Sequence, residues 1–538
     1  MSVKERSSKD QSEGNTSGQN SRGHASEKRQ SFDGTFAARD SQEFPLEPSP
    51  DHTICIEAAG VPHGTLYPFT IPNAKDFWSG QHVKMPFSNS CIQIKKRFGQ
   101  CRSEEKILRW EVIKEALKTD FATLGDLEHA IKQYNLKYTH TWTFSGLCNY
   151  LEELSYDERH NLLANVLPKM AKLALQLPRL CSKPIPLLKQ GQNQAITMSQ
   201  KQIACLLANA FFCTFPHRNS TQPRSEYSNF PNINFSGLFA KCSQRTSEKL
   251  KTIFCYFCSV TSNMPNGLVT FQRCVLRSPV QWSRSVHQLT DLCVTSVGSI
   301  EDAEGKLQVD FAAAMVGGGV LGSGLVQEEI RFLINPELIV ARLFTEKLQE
   351  NECLVITGAE RYSKHQGYSD SYRWQGSYHD ATLRDSWLRR STQIVAIDAV
   401  NFRNPREQYE AVYLDRELNK AYCGFSCRVI PDRQHSAIAT GNWGCGAYKG
   451  DAKLKALLQI MAASQAHRDV VYYTFGDRGL ERSIKEMYTF LKMKHVTVGQ
   501  LYKVLEKYSR MNSRSSVARD LYTFIENNVD CLKQVSRL

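Results

Sequence analysis

Leu307-Gln308-Val309-Asp310-Phe311-Ala312, a short gap, Gly317-Gly318-Gly319-Val320-Leu321-Gly322-Ser323-Gly324, then Leu325-Val326-Gln327-Glu328-Glu329: this stretch changes character twice in a short span. Its first six residues read as a β run, and the residues from Gln327 to Leu348 read as a helix. Five glycines in eight positions join the two, permitting positive φ and close approach of backbone N–H groups to a ligand. Strand, glycine loop and helix in succession predict an α/β layered domain whose ligands sit at the carboxyl ends of strands. Adjacent helical residues point about 100° apart, so Glu328 and Glu329 cannot face one atom. One carboxylate faces the pocket while the other supports it or grips a hydroxyl. Paired glutamates at a helix start also satisfy the helix dipole, and that plain role competes with chemistry.

The pattern continues outward from this stretch. Further strands are expected at Thr252–Val260, Cys353–Thr357, Gln393–Val400, Ser436–Thr440 and Val470–Phe475, with helices at Arg406–Tyr422 and Asp451–Ala466. A second glycine-rich loop, Gly441-Asn442-Trp443-Gly444-Cys445-Gly446-Ala447-Tyr448-Lys449-Gly450-Asp451, follows a strand and ends at a helix start, a setting suited to a diphosphate. It lacks the Gly-Lys-Ser/Thr of a P-loop and the G-x-G-x-x-G spacing of a dinucleotide fingerprint. Ser323 lacks nucleophile-elbow spacing, so acyl-enzyme chemistry has little support. A carboxylic acid beside glycine-rich backbone fits chemistry on a glycosidic bond better, because such an acid must protonate a leaving oxygen.

Three segments are expected: a disordered tail over 1–65, an all-helical accessory domain over 66–230, and the α/β domain over 231–538. The tail is rich in Ser, Gly, Lys, Glu and Gln and cannot bury enough surface to offset its ordering entropy. In the helical segment Ile107, Trp110, Ile113 and Leu117 share a face, and Ser199 to Gln202 form a capping box ahead of Ile203. Net charge is +13, favouring a polyanionic partner. The 17 cysteines are scattered and no apolar run suits a signal peptide or membrane span, so nucleus or cytoplasm is expected. Lys95-Lys96-Arg97 is a weak import signal. Cys255-x-x-Cys258 has no second pair at zinc spacing and reads as core, so no metal and no cofactor are expected.

The run Gly317-Gly318-Gly319 followed by Gln327-Glu328-Glu329 resembles the catalytic loop of animal-type poly(ADP-ribose) glycohydrolases, a macrodomain family. Its flanks Gln308–Ala312 and Ile330–Leu338 resemble the family too, as do Thr440–Ala447, Glu417–Phe425, Thr474–Asp477, Pro184–Lys189 and Ala208–Cys213. The resemblance spans roughly residues 75 to 525. It implies an α/β/α macrodomain sandwich with a mixed sheet, carrying the helical accessory domain, and hydrolysis of ribose–ribose O-glycosidic bonds with release of ADP-ribose. By position it implies Glu329 as the acid that protonates the leaving ribose hydroxyl and then activates water, Glu328 holding ribose hydroxyls, and Asp310 supporting them. Gln327, Gly317, Gly318 and Gly319 would contact substrate, Ile300 and Glu301 the adenine, and Asn442, Trp443, Gly444, Cys445, Gly446 and Ala447 the diphosphate. Tyr368 would close over the ligand, with Tyr448 (Phe in most of the family) and Phe475 flanking it. Implied partners are poly(ADP-ribose) and its carrier proteins in DNA-damage signalling, with no direct DNA binding, no membrane, and a monomeric protein.

One departure stands out: the family's Asp-Phe-Ala-Asn reads Asp310-Phe311-Ala312-Ala313 here. A lost hydrogen bond costs on the order of 1 kcal/mol, so an attenuated enzyme or a non-catalytic reader of the polymer is the alternative. Action on a protein-linked ADP-ribose monomer is the third reading.

Overall fold

The computed structural model describes residues 45–69, 76–97, 103–220, 222–427, 436–512 and 520–529. Nine strands form one sheet: β1 (His52–Ile54), β2 (Gln194–Ser199), β3 (Leu268–Val275), β4 (Leu292–Thr295), β5 (Leu307–Ala312), β6 (Glu352–Thr357), β7 (Gln393–Asp398), β8 (Ile438–Gly441) and β9 (Val470–Tyr473). Their spatial order is β1-β2-β3-β6-β7-β5-β8-β9-β4. The last five in that order are mutually parallel, and β3 and β6 are antiparallel to their neighbours, so the sheet is mixed. The expected strand Leu307–Ala312 is found with those bounds, and those at 353, 393, 436 and 470 within a few residues.

Side-chain alternation shows how the layers form. Leu354 and Ile356 on β6, and Ile394 and Ala396 on β7, join a core shared with the helices α1 (Gln200–Phe211) and α2 (Gln244–Ser262). Their neighbours Cys353, Val355, Val395 and Ile397 face the opposite way. There they meet Leu418 and Leu457 from α4 (Ala411–Ser426) and α5 (Ala452–Gln465), α3 being Gln327–Ile334. Helices therefore cover both sheet faces, which is the α/β/α sandwich. Among the described residues no helix is long and apolar enough to cross a membrane.

Several expectations change. Thr252–Val260 is not a strand but the end of α2: the buried Leu250, Ile253, Phe254 and Phe257 recur at helical spacing, and Ser243 caps the start by accepting the Thr246 N–H. The helix expected over 327–348 ends at Ile334, because Pro336 offers no N–H to continue the ladder; a 3-10 turn, Pro336–Val340, and a short helix, Ala341–Phe344, follow. The expected tail ends sooner than residue 65. Residues 1–44 lie outside the described residues, but Leu46, Ile54, Ile56 and Val61 are buried with Leu268 and Trp387, and β1 pairs with β2. Four apolar side chains spread over a polar stretch suffice to anchor it there. Among the described residues of 66–230 the regular elements are helices, apart from β2 and the hairpin Ile92–Arg97 with Ser103–Leu108, in which Lys95-Lys96-Arg97 lies. Cys274 is disulfide-bonded to Cys427, a pairing that their separation of 153 residues hides from sequence.

Candidate active site

The parallel strands β4, β5, β8 and β9 release their carboxyl ends side by side. Ile300 and Glu301 follow β4, the glycine triplet follows β5, Asn442 to Tyr448 follow β8, and Phe475 follows β9. The topology thus gathers at one sheet edge segments separated by up to about a third of the chain.

At the centre are three carboxyl groups. Asp310, on β5, is wholly buried and neither of its oxygens meets a hydrogen-bond partner. Burial pushes it up to about 8; Arg331 opposes the rise and the negative charge of Glu329 adds to it. Glu328, the second residue of α3, accepts the Ala313 N–H at 2.8 Å and the Gly317 N–H at 2.5 Å. Burial, then Asp310 and Glu329, nevertheless hold its carboxyl well above the usual range. Asp310 and Glu328 are therefore both biased toward their protonated forms. Glu329 accepts the Gly319 N–H at 2.7 Å, and at 2.8 Å the N–H of Val326 at the start of its own helix. The two glutamates are gripped by different N–H groups, as their helical offset requires. Gly318, at φ +43°, passes so close that a Cβ there would stand 2.5 Å from Glu329 Oε1 and 2.7 Å from Glu328 Oε2. Only glycine fits.

The side chain of Gln327 is engaged by the fold. Its Oε1 accepts the Phe311 N–H at 2.7 Å and its Nε2 donates to Val309 O at 3.3 Å, so it ties α3 to β5. The ring of Trp443 is fully buried, Nε1 donates to Ile397 O at 3.0 Å, and Lys455 Nζ lies 4.5 Å from the ring centre. It supports the second loop from beneath. Lys455 pairs there with Glu417, which also meets Arg416 at 2.8 Å. Arg416 and Lys420 in turn reach Asp398 at 2.6 and 2.7 Å. Asn442 accepts the Tyr472 hydroxyl at 3.0 Å, and the Cys445 N–H donates to Asn442 O, giving the loop a fixed turn. Asp451 caps α5 by accepting the Leu454 N–H, so the helix start is already occupied. An anion would meet the loop's own backbone, where Gly446, Ala447 and Tyr448 offer N–H groups without protein acceptors among the described residues.

The remaining residues frame this centre. The phenol of half-buried Tyr448 feels the charges of Glu328, Asp398 and Glu329. Tyr368, 53% exposed, sets its hydroxyl against the Gln327 backbone N–H and near Glu329. Phe475 is exposed and lies over Gly441, where a Cβ would meet its ring at 2.7 Å. Ile300 is buried. Burial raises Glu301, but the hydrogen bond with His365 at 3.2 Å, its own backbone N–H and Arg331 together hold it at about 2. Two buried cations under the glycine loop, Lys249 and Arg342, were not singled out by sequence. Lys249 lies in a mixed charged stretch and Arg342 in an apolar run, and only the fold brings them to the loop.

Comparison with known proteins agrees with this arrangement. Residues 279–482 match the family described as "Poly (ADP-ribose) glycohydrolase (PARG), Macro domain fold", and residues 154–273 match its "helical domain". The chain is 34% identical to poly(ADP-ribose) glycohydrolase 1 of Arabidopsis thaliana over 437 residues, covering 65% of this chain and 79% of that protein. It is 33% identical to the probable poly(ADP-ribose) glycohydrolase 2 of the same plant, covering 66% and 80%. With poly(ADP-ribose) glycohydrolase 1 of Caenorhabditis elegans it shares 31% identity, covering 66% of this chain and 46% of that protein. A sandwich with a carboxyl cluster between two glycine loops, matched over both segments, places this chain in the poly(ADP-ribose) glycohydrolase family, glycoside hydrolases that act on poly(ADP-ribose).

Proposed function

We propose that the chain releases ADP-ribose from poly(ADP-ribose) by cleaving its ribose–ribose bonds, with Glu329 as general acid and then general base. The observation that carries this reading is the placement of Glu329 at the rim of the glycine loop, where the Gly319 and Val326 N–H groups hold its carboxyl group. Glu329 gives its proton to the leaving ribose oxygen as the anomeric C–O bond breaks and positive charge spreads over the ring. The resulting carboxylate then takes a proton from the water that attacks the anomeric carbon. Glu328 holds ribose hydroxyls, and Asp310 beneath it keeps a proton within the cluster. The free N–H groups after Cys445 suit the diphosphate, Ile300 and Glu301 the adenine, and Tyr368, Tyr448 and Phe475 the open sides.

Ala313 supports an attenuated variant of the same reading. Its backbone N–H still serves Glu328, but its methyl group offers no hydrogen bond to substrate. The +13 charge suits a polyanionic substrate, and the family resemblance implies a setting in DNA-damage signalling. The purified chain incubated with poly(ADP-ribose), and separately with mono-ADP-ribosylated protein, should free ADP-ribose mainly from the polymer. Binding of polymer without release would contradict the enzymatic reading, and release mainly from the monomer would reassign the substrate.

A further inference from the structure

Arg342 sits in the short helix Ala341–Phe344, behind the glycine loop, and is 4% exposed. Its Nη1 donates to two carbonyls of the loop, Val316 O at 2.8 Å and Gly318 O at 3.0 Å. In a planar trans peptide the C=O and N–H groups point in opposite directions. The peptide carrying Val316 O presents the Gly317 N–H at its other end, and that N–H donates to Glu328. The peptide carrying Gly318 O presents the Gly319 N–H, which donates to Glu329. One nitrogen therefore holds the rear of both peptide planes whose fronts grip the two glutamates.

We propose that Arg342 is a positioning residue that aims the Gly317 and Gly319 N–H groups at Glu328 and Glu329 and so fixes the angular placement of both carboxyl groups. The inference rests on the general-acid reading of Glu329. The surroundings are built for it. Arg218 donates to the Arg342 backbone O at 2.8 Å, and Arg342 Nε donates to Asn232 O at 2.7 Å, so both the backbone and the guanidinium of the residue are held. It makes no ion pair with a carboxylate among the described residues; its charge acts on Glu328 and Glu329 across the loop. Gly317, at φ +80°, leaves room for it, since a Cβ there would stand 2.8 Å from Nη1. Lys249 of α2 completes the hold: its buried Nζ donates to Gly319 O, Val320 O and Gly322 O at 3.0, 3.1 and 2.9 Å. Three ammonium hydrogens meet three carbonyls, so the far half of the loop is pinned by a helix outside the loop's own segment.

The test compares R342M, R342K, K249M and E329Q with the parent chain, measuring kcat and KM on polymer, ADP-ribose affinity and thermal unfolding. Loss of a preorganised donor lowers kcat by about 100-fold or more, so R342M should fall by at least about 100-fold while KM and ADP-ribose affinity stay within about threefold. R342K keeps the charge and can reach one carbonyl, and should recover about tenfold of that loss. K249M should fall by about tenfold with the same sparing of affinity. A folded R342M with kcat near the parent's, or one whose kcat and affinity fall together with the folded fraction, overturns the proposal. Should R342M not fold, R342K decides, because a lowered kcat at unchanged affinity supports the relay and a parental kcat overturns it. An active E329Q would overturn the acid assignment itself, whereas an inactive E329Q beside a fully active R342M overturns the relay alone.

Discussion

Asp310 is a carboxyl group buried without a hydrogen-bond partner, and its consequence is a pH-dependent cost to the fold. Its folded value, about 8, lies above the ordinary 3.8, so the folded chain binds more protons than the unfolded one between those values. Stability attributable to this group therefore falls as pH rises from about 4 to about 8. Asp310→Asn removes the titration. The variant's advantage in denaturant unfolding should grow between pH 5 and pH 8, by on the order of 1–3 kcal/mol. An advantage that does not change with pH would show that Asp310 is ionised in the folded chain. At Ala313, restoring the family's Asn should raise kcat/KM by up to about tenfold if a substrate hydrogen bond is regained. Parental kinetics for that variant would remove the case for attenuation. Gly318→Ala should abolish turnover, because its Cβ would displace both glutamate carboxyls. At this scale the residues themselves singled out the glycines and the Glu328–Glu329 pair, whose spacing is local, while Asp310 entered through the family resemblance. Arg342 and Lys249 escaped notice because their partners are backbone carbonyls, which leave no mark on composition.

Elements were legible where one period dominated. β5 alternates cleanly and was found with its own bounds, and the capping box Ser199 to Gln202 does start α1. The Thr252–Val260 run misled because aromatic and β-branched residues favour strands, while burial at positions 250, 253, 254 and 257 decides for a helix. β2 and β3 were missed although Val269, Thr270 and Phe271 favour a strand; they pair with each other and with β1 and β6. A cap tests this scale. Asp451 accepts the Leu454 N–H at the start of α5, directly after the second glycine loop. Asp451→Ala should cost about 1 kcal/mol of stability and weaken ADP-ribose binding, since the cap also holds the end of that loop. Calorimetry of unfolding and of ADP-ribose titration reads both, and unchanged affinity would separate the loop from its helix.

At the scale of the whole molecule, the described site lies entirely within the compact unit Glu43–Leu538. Deleting residues 1–44 should leave kcat and melting temperature near those of the parent chain. Deleting 1–65 should lower the melting temperature measurably, because it removes β1 and the buried Leu46, Ile54, Ile56 and Val61. Equal stability of the two truncations would show that this anchor contributes nothing. Why the site forms is a matter of topology: parallel strands adjacent in the sheet release loops from residues 300, 317, 442 and 475 at one edge. Sequence exposes each loop, but their adjacency comes only from strand order. The account's central claim is that Glu329 carries the proton. Glu329→Gln keeps an acceptor for the Gly319 N–H and removes the acid, so one pair of assays on the folded variant tests it most directly. Release of ADP-ribose from polymer should fall by at least about 1,000-fold while ADP-ribose affinity stays within about threefold of the parent's. Retained polymer hydrolysis in that variant would contradict the account.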